Sequence, residues 1–226
     1  MFEDLLQIRT PCVCFYALRD GDSLYIIDGG FIGGVKSLNV ALRTYGWSHI
    51  PIRGVLITHG HLDHVFNAAE IASEANCWIS GPLLDLPHYE AIYNYTGISR
   101  VCGLLETIGR SCLGYNRPQI DRFLTDGDEI PIWGGLHAIH LPGHTEGHMG
   151  FYSATRRLLF CGDLFASFGR FSHLPPCIFN SKPDMICSSI DKSLSLDLDA
   201  VAPNHCNRAS FQTHLSRLRD LRKGKC

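Results

Sequence analysis

The stretch GVLITHGHLDHVF, Gly54 to Phe66, places three histidines and an aspartate within six positions, directly after an apolar, β-branched run. Val55, Leu56 and Ile57 read as a buried strand, and the polar loop that follows leads into a helix over HVFNAAEIASEAN. Alternate residues of an extended segment point the same way, so His59 and His61 can reach one ion together. Asp63 and His64 fall where the chain turns into the helix and can serve a second ion beside the first. Imidazole nitrogen and carboxylate oxygen both suit zinc, and a catalytic site leaves a coordination position open.

Further candidates lie downstream, each at the end of an expected strand. HLPGHTEGHMGF places His144 in a glycine-flanked turn where backbone and ion can approach closely. LLFCGDLF ends a buried strand on Asp163, a costly place for a charge without a partner or a cation. AVAPNHC repeats the arrangement with His205.

The rest of the chain frames these positions. CVCFYALRD and DSLYIIDGG read as a hairpin around the turn DGD. GGVKSLNVALRTYGW carries Val35, Leu38, Ala41 and Leu42 at helical spacing and stops at Gly46. CWIS is a strand closed by Gly81 and Pro82. In the segment 83–117, RVCGLLETIGRSCLGY sets Val101, Leu104, Leu105, Ile108 and Cys112 on one helical face, and PHYEAIYNYTG is expected to be helical. Four short strands follow, over GDEIPIW, GLHAIHLPG, GHMGFYSAT and RRLLFCGD. The chain then gives a helix near Asp184–Leu194, the strand DAVAPNH, and a helix near Asn207–Arg222 that turns Phe211, Leu215, Leu218 and Leu221 inward. Strands followed by helices thus occur twice, which predicts an α/β fold of two facing sheets with helices outside, in one domain spanning 1–226.

Composition narrows the function classes. Hydrophobic residues at 45% and charged residues at 19% fit an ordinary globular chain, and a net charge of −2 offers no bulk attraction to nucleic acid or anionic membrane. No apolar run approaches a membrane span, and MFEDLLQIRT is acidic where a secretory leader would be basic, so the expected location is the cytoplasm. The ten cysteines form no C-x-x-C pair and are expected to be reduced, buried thiols.

The series H-x-H-x-D-H, G-H-T-x-G-H, G-D and a strand-end histidine resembles the metallo-β-lactamase superfamily over nearly the whole chain. That resemblance implies a four-layer αβ/βα sandwich with two divalent metal ions along one edge, zinc first, with iron or manganese as alternatives. It implies that His59, His61 and His144 bind one ion, that Asp63, His64 and His205 bind the other, and that Asp163 bridges them. Asp28, in IIDGG, corresponds to an aspartate that braces the ligand loop, and Thr145 and His148 to supporting residues. The implied chemistry is hydrolysis by a hydroxide held between the ions, with Asp63 and Asp163 as the catalytic carboxylates; no G-x-S-x-G elbow offers a serine alternative.

True β-lactamases of this superfamily lack the bridging aspartate, so Asp163 points away from antibiotics. GDLFASFGR, Gly162 to Arg170, resembles a stretch of hydroxyacylglutathione hydrolase with one residue fewer before the leucine. A small thioester, ester or lactone is therefore the expected substrate, with acyl-homoserine lactonases sharing the seven ligand positions. Only residues 206–226 follow His205, too few for the helical domain with which hydroxyacylglutathione hydrolases hold glutathione. The alternative, phosphodiester cleavage by the same metal pair, calls for a basic groove that the composition does not supply. Persulfide dioxygenase and non-catalytic readings are weakened by the full set of ligands, and a flavodiiron reading by His61, where those proteins carry an acidic residue. Segment 83–117 is read as a helical lid or as an interface for a second copy of the chain. Tyr89, Tyr93, Phe165 and Phe168 are the expected pocket residues.

Overall fold

The computed structural model describes residues 2–92 and 95–226. Along the chain come β1 (Leu5–Arg9), β2 (Cys14–Asp20), β3 (Ser23–Ile27), α1 (Gly34–Thr44), β4 (Ile52–Leu56), α2 (Leu62–Val65), α3 (Ala68–Ala75) and β5 (Trp78–Pro82). Next are α4 (Leu86–Tyr89), α5 (Arg100–Cys112), β6 (Arg122–Leu124), β7 (Glu129–Ile130), β8 (Leu136–His140), β9 (Met149–Ser153), β10 (Leu158–Gly162), α6 (Ile186–Leu194), β11 (Ala200–Pro203) and α7 (Phe211–Lys225).

One sheet has six strands in the order β1-β2-β3-β4-β5-β6, and the other has five in the order β11-β10-β9-β8-β7. The hairpin β2–β3 and the meander β8–β9–β10 are antiparallel, whereas β3, β4, β5 and β6 run parallel, as β11 does to β10. Period-two alternation explains the layering. In β2, Tyr16 and Leu18 face the second sheet, meeting Phe151, Phe160 and Ala202. Phe15 and Ala17 face the opposite way, toward Leu38 and Leu42 of α1 and Ile71 of α3. The five-stranded sheet does the same, with Leu159, Cys161 and Val201 packed on Ile190 of α6 and on Leu215, Leu218 and Leu221 of α7. Helices thus cover both outer faces, giving the four-layer αβ/βα sandwich.

Several expectations are corrected. β1 and β6 carry no strand expectation; each is a short edge strand whose pairing comes from its neighbour, β1 with β2 and β6 with β5. The helix expected over 64–76 breaks into α2 and α3, and PHYEAIYNYTG is α-helical only at its start, in α4. The apolar face of α5 points outward: Val101, Leu104, Leu105 and Ile108 are exposed, while Cys102, Gly103, Glu106 and Arg110 are buried. The cause is an ion pair, Arg110 to Glu106 at 2.9 Å, which must face inward because both residues hydrogen-bond the histidine-rich loop. Cys187 and Cys226 form a disulfide, against the expectation of reduced thiols throughout. They lie 39 residues apart in sequence, and the packing of α6 beside α7 brings their Cα atoms to 5.5 Å. Among the described residues no helix is long and apolar enough to cross a membrane.

Candidate metal centre

Strand ends from both sheets meet along one edge of the sandwich and carry the expected donors there. The loop after β4 brings His59 and His61, α2 brings Asp63 and His64, and the loop after β8 brings His144. Asp163 follows β10 and His205 follows β11. Donor atoms fall into three overlapping groups, His59–His61–His144, His59–His64–Asp163 and Asp63–His64–His205, each within 4.8 Å. His61 Nδ1 faces His144 Nε2 at 2.8 Å. Asp163 lies in the middle, 3.4 Å from His64 Nε2, 3.4 Å from His144 Nε2 and 3.1 Å from His205 Nε2. Asp63 reaches His205 Nε2 at 3.3 Å.

Hydrogen bonds on the outer ring nitrogens set the tautomers. The Asp28 carboxylate accepts from the Thr58 backbone amide at 2.8 Å and from the Thr58 hydroxyl at 2.8 Å. The Thr58 oxygen is therefore left to accept from His59 Nδ1 at 3.0 Å. His64 Nδ1 lies 3.0 Å from Asp28 Oδ2, which also takes the Asn204 side-chain amide at 2.7 Å. His144 Nδ1 meets Asn180 Oδ1 at 3.0 Å, and His61 Nε2 meets the Tyr95 hydroxyl at 2.7 Å. With the outer nitrogens engaged, His59 Nε2, His64 Nε2 and Asp163 Oδ1 are left buried and without a hydrogen-bond partner. Orphaned buried donors are costly, and their convergence fits a divalent cation.

Electrostatics divide the cluster. Burial would lower His64 and His205, but Asp163 and Asp63 outweigh it and raise both well above the ordinary imidazole value, while the other groups are tuned to meet a cation. Burial holds His59 and His61 well below the ordinary imidazole pKa, with the neighbouring histidines adding to the effect, and the neutral ring is the ligating form. Burial alone would push Asp163 up, but His205 and His64 outweigh it and hold the carboxyl well below its usual range. His148 supports Asp163: its Nε2 accepts the Asp163 amide at 3.0 Å while its Nδ1 donates to the Leu141 carbonyl at 2.9 Å. Burial keeps His148 neutral, pushed down to about 3. Gly162, at φ +52°, makes this possible, since a Cβ there would stand 2.6 Å from His148 Nε2.

Sequence reasoning missed Asp85. Its buried carboxylate accepts from the Gly60 amide at 2.8 Å, the Thr145 hydroxyl at 2.7 Å and the Gly147 amide at 2.7 Å, tying the His59–His61 loop to the His144 loop. Thr145 acts through this contact. Glu106 accepts the Leu62 amide at 2.9 Å and Arg110 donates to the Gly60 carbonyl at 2.8 Å, so α5 also grips the loop. An acid in an unremarkable turn and an i, i+4 pair on a helix carry no local signal of such roles. Asn204 and Thr58, each one residue before a donor histidine, do.

Phe165 and Phe168 line a cavity of about 540 Å³ that opens onto His61, Asp63, His144, Asp163 and His205. Tyr89 does not: its ring is buried in the core beneath the six-stranded sheet, its hydroxyl held where a Cβ on Gly81 would otherwise sit. Tyr93 lies outside the described residues.

Residues 9–205 match the family model of the metallo-β-lactamase superfamily. The chain belongs to that superfamily. Among curated proteins, hydroxyacylglutathione hydrolase GloC of Haemophilus influenzae is 28% identical over 122 residues, 51% of this chain and 50% of GloC. A hydroxyacylglutathione hydrolase of Rhodospirillum rubrum is 29% identical over 130 residues, covering 57% of this chain and 39% of that enzyme. This chain therefore spans half or less of those two relatives' own length. A probable metallo-hydrolase of Bacillus subtilis, YybB, is 25% identical over 206 residues, 83% of this chain and 84% of YybB. Among solved structures, a metallo-β-lactamase family protein of Thermus thermophilus superposes with a TM-score of 0.75 at 19% identity, over 97% of this chain and 77% of that one. The solved structure of TTHA1623 in a di-iron-bound form gives 0.69 at 24% identity, over 92% of this chain and 95% of that one. Such likeness extends the superfamily fold across this chain.

Proposed function

We propose that the protein is a two-cation hydrolase that cleaves a small thioester, ester or lactone. The observation that carries this reading is the convergence of orphaned buried donors, His59 Nε2, His64 Nε2 and Asp163 Oδ1, into adjoining groups of three, each of a kind that could hold an ion. His59, His61 and His144 would hold the first, Asp63, His64 and His205 the second, and Asp163 both. Bound there, divalent cations supply Lewis acidity and bring the pKa of a water molecule toward neutrality.

The chain's own groups do the remaining work. Asp163, kept ionised between His64, His144 and His205, is fixed in position by His148 and orients the attacking water. Asp63 has its carboxyl held down by His64 and His205 against the upward push of burial, so it stays ionised on the more exposed side of the cluster. Nitrogen and carboxylate donors favour zinc, and iron or manganese fits the same set. Thioester chemistry draws support from the hydroxyacylglutathione hydrolases among the relatives.

The test is metal analysis together with turnover on a panel of thioesters, lactones and phosphodiesters. About two equivalents of metal per chain are expected. Asp163→Asn, folded by circular dichroism, should lower kcat on the order of 10³-fold. Wild-type turnover by Asp163→Asn, or preference for the phosphodiester, would overturn the reading.

A further inference from the structure

The donor cluster supplies only part of the lining of the 540 Å³ cavity, a volume typical of a small-molecule site, roughly 300–1,000 Å³. Away from the donors the walls are apolar: Phe31, Leu105, Phe165, Phe168, Pro176 and Phe179. Among the described residues that line it there is no lysine or arginine; Asp63 and Asp163 belong to the donor groups, and Glu106 is paired with Arg110. A thiol carrier such as glutathione presents carboxylates, and a nucleotide carrier presents phosphates. Recognition of either calls for guanidinium forks, ammonium groups or a helix N-terminus aimed at the anion.

We infer that the cavity binds a neutral, apolar acyl chain, so that the substrate class is a fatty acyl ester or lactone and not an anionic thiol conjugate. This rests on the hydrolase reading for the reacting end and deepens it at the other. The scissile carbonyl sits at the donors, and the acyl chain runs from buried Phe165 outward between Phe168, 41% exposed, and Leu105, 52% exposed. Leu105 belongs to the outward apolar face of α5, whose inner face grips the His59–His61 loop through Glu106 and Arg110. A second stretch of the wall is anchored to the cluster as well. Asn180, one residue past Phe179, holds His144 Nδ1 with its oxygen and donates from its nitrogen to the Pro175 carbonyl at 2.9 Å. Both stretches of the chain-binding region are therefore fixed to the donor set, which lets the bound chain position the reacting bond.

The experiment uses metal-loaded protein and p-nitrophenyl esters from acetate to octanoate, with S-lactoylglutathione in parallel. The expected result is a kcat/KM that rises about three-fold per added methylene, with the octanoate ester preferred to the glutathione thioester by at least about 100-fold. Phe168→Asp and Leu105→Asp, both at exposed positions that tolerate a charge, should cut the octanoate-to-acetate ratio about ten-fold or more. A flat chain-length series, or preference for the glutathione thioester, overturns the inference and leaves the hydrolase reading standing. If no ester, lactone or thioester is cleaved, the hydrolase reading fails instead, and direct binding decides the cavity. Displacement of Nile red by 1-octanol but not by 1-butanol, weakened in Phe168→Asp, supports an apolar chain site; equal displacement, or none, overturns it.

Discussion

The two sides of the donor cluster are built differently. On one side His59, His61 and His144 are buried, each with its outer nitrogen engaged by Thr58, Tyr95 or Asn180. On the other, His64 is buried against Asp28, but the side chains of Asp63 and His205 are 29% and 26% exposed. A closed, braced set favours tight retention of an ion, whereas an open set leaves room for a reactant. The contrast divides the labour within a few ångströms: one side fixes charge in place, and the other meets what comes in.

The contrast breaks most severely at its common anchor. Asp28→Ala leaves Thr58, His64 and Asn204 without their shared acceptor, and the cost is expected at about 3 kcal/mol or more in denaturant unfolding. Asp28→Asn keeps an oxygen for Thr58 and tolerates the φ of 63° at this position, so it should lose less. Equal losses would show that the carboxylate charge matters more than its acceptor geometry.

Next come the donors themselves. Metal retained after gel filtration should fall to about one equivalent in His205→Ala, because the braced side still holds its ion. His59→Ala, which takes a member from two of the three donor groups, should retain less than one. Identical retention by the two variants would abolish the distinction between the sides.

A smaller effect is expected at Asp85, whose hydrogen bonds go to the loops and to none of the seven candidate metal ligands. Asp85→Asn points an amide at donors that need an acceptor, and chelator competition should show cation affinity lowered by about 10–100-fold. Unchanged affinity would mean that the two loops hold their own shapes.

The gentlest probe is acid. His148 is neutral when folded, with its pKa pushed down to about 3, whereas the unfolded ring takes a proton near 6.5. The unfolded state binds more protons between those values, so this stabilisation is complete above about pH 6.5 and is lost as the pH falls toward 3. Metal-free protein should therefore lose about 1 kcal/mol from this group between pH 7.5 and 5.5, and His148→Gln should flatten that part of the slope.

What could be read from the sequence follows the range of the interaction. The H-x-H-x-D-H loop, the strand alternation and the apolar stripe of α7 are local patterns, and each appears in the structure where its period puts it. The orientation of α5 was not readable that way. An apolar stripe normally turns inward, but here the Glu106–Arg110 pair has backbone partners on a loop some fifty residues earlier, and satisfying them outweighs burying four aliphatic side chains. Asp85 is silent for the same reason, since its three partners lie 25 to 62 residues away. Tyr89 misleads because an aromatic residue near a cleft and one plugging a gap over Gly81 have the same local sequence signature.

Asp28 stands at the end of a strand in one sheet and takes an amide from Asn204, at the end of a strand in the other. The halves of the sandwich therefore cannot slide past one another by a hydrogen-bond length without unseating His64. With an ion bound, shear across that seam would register as its leakage, so metal release under hydrostatic pressure would gauge how stiffly the halves are joined.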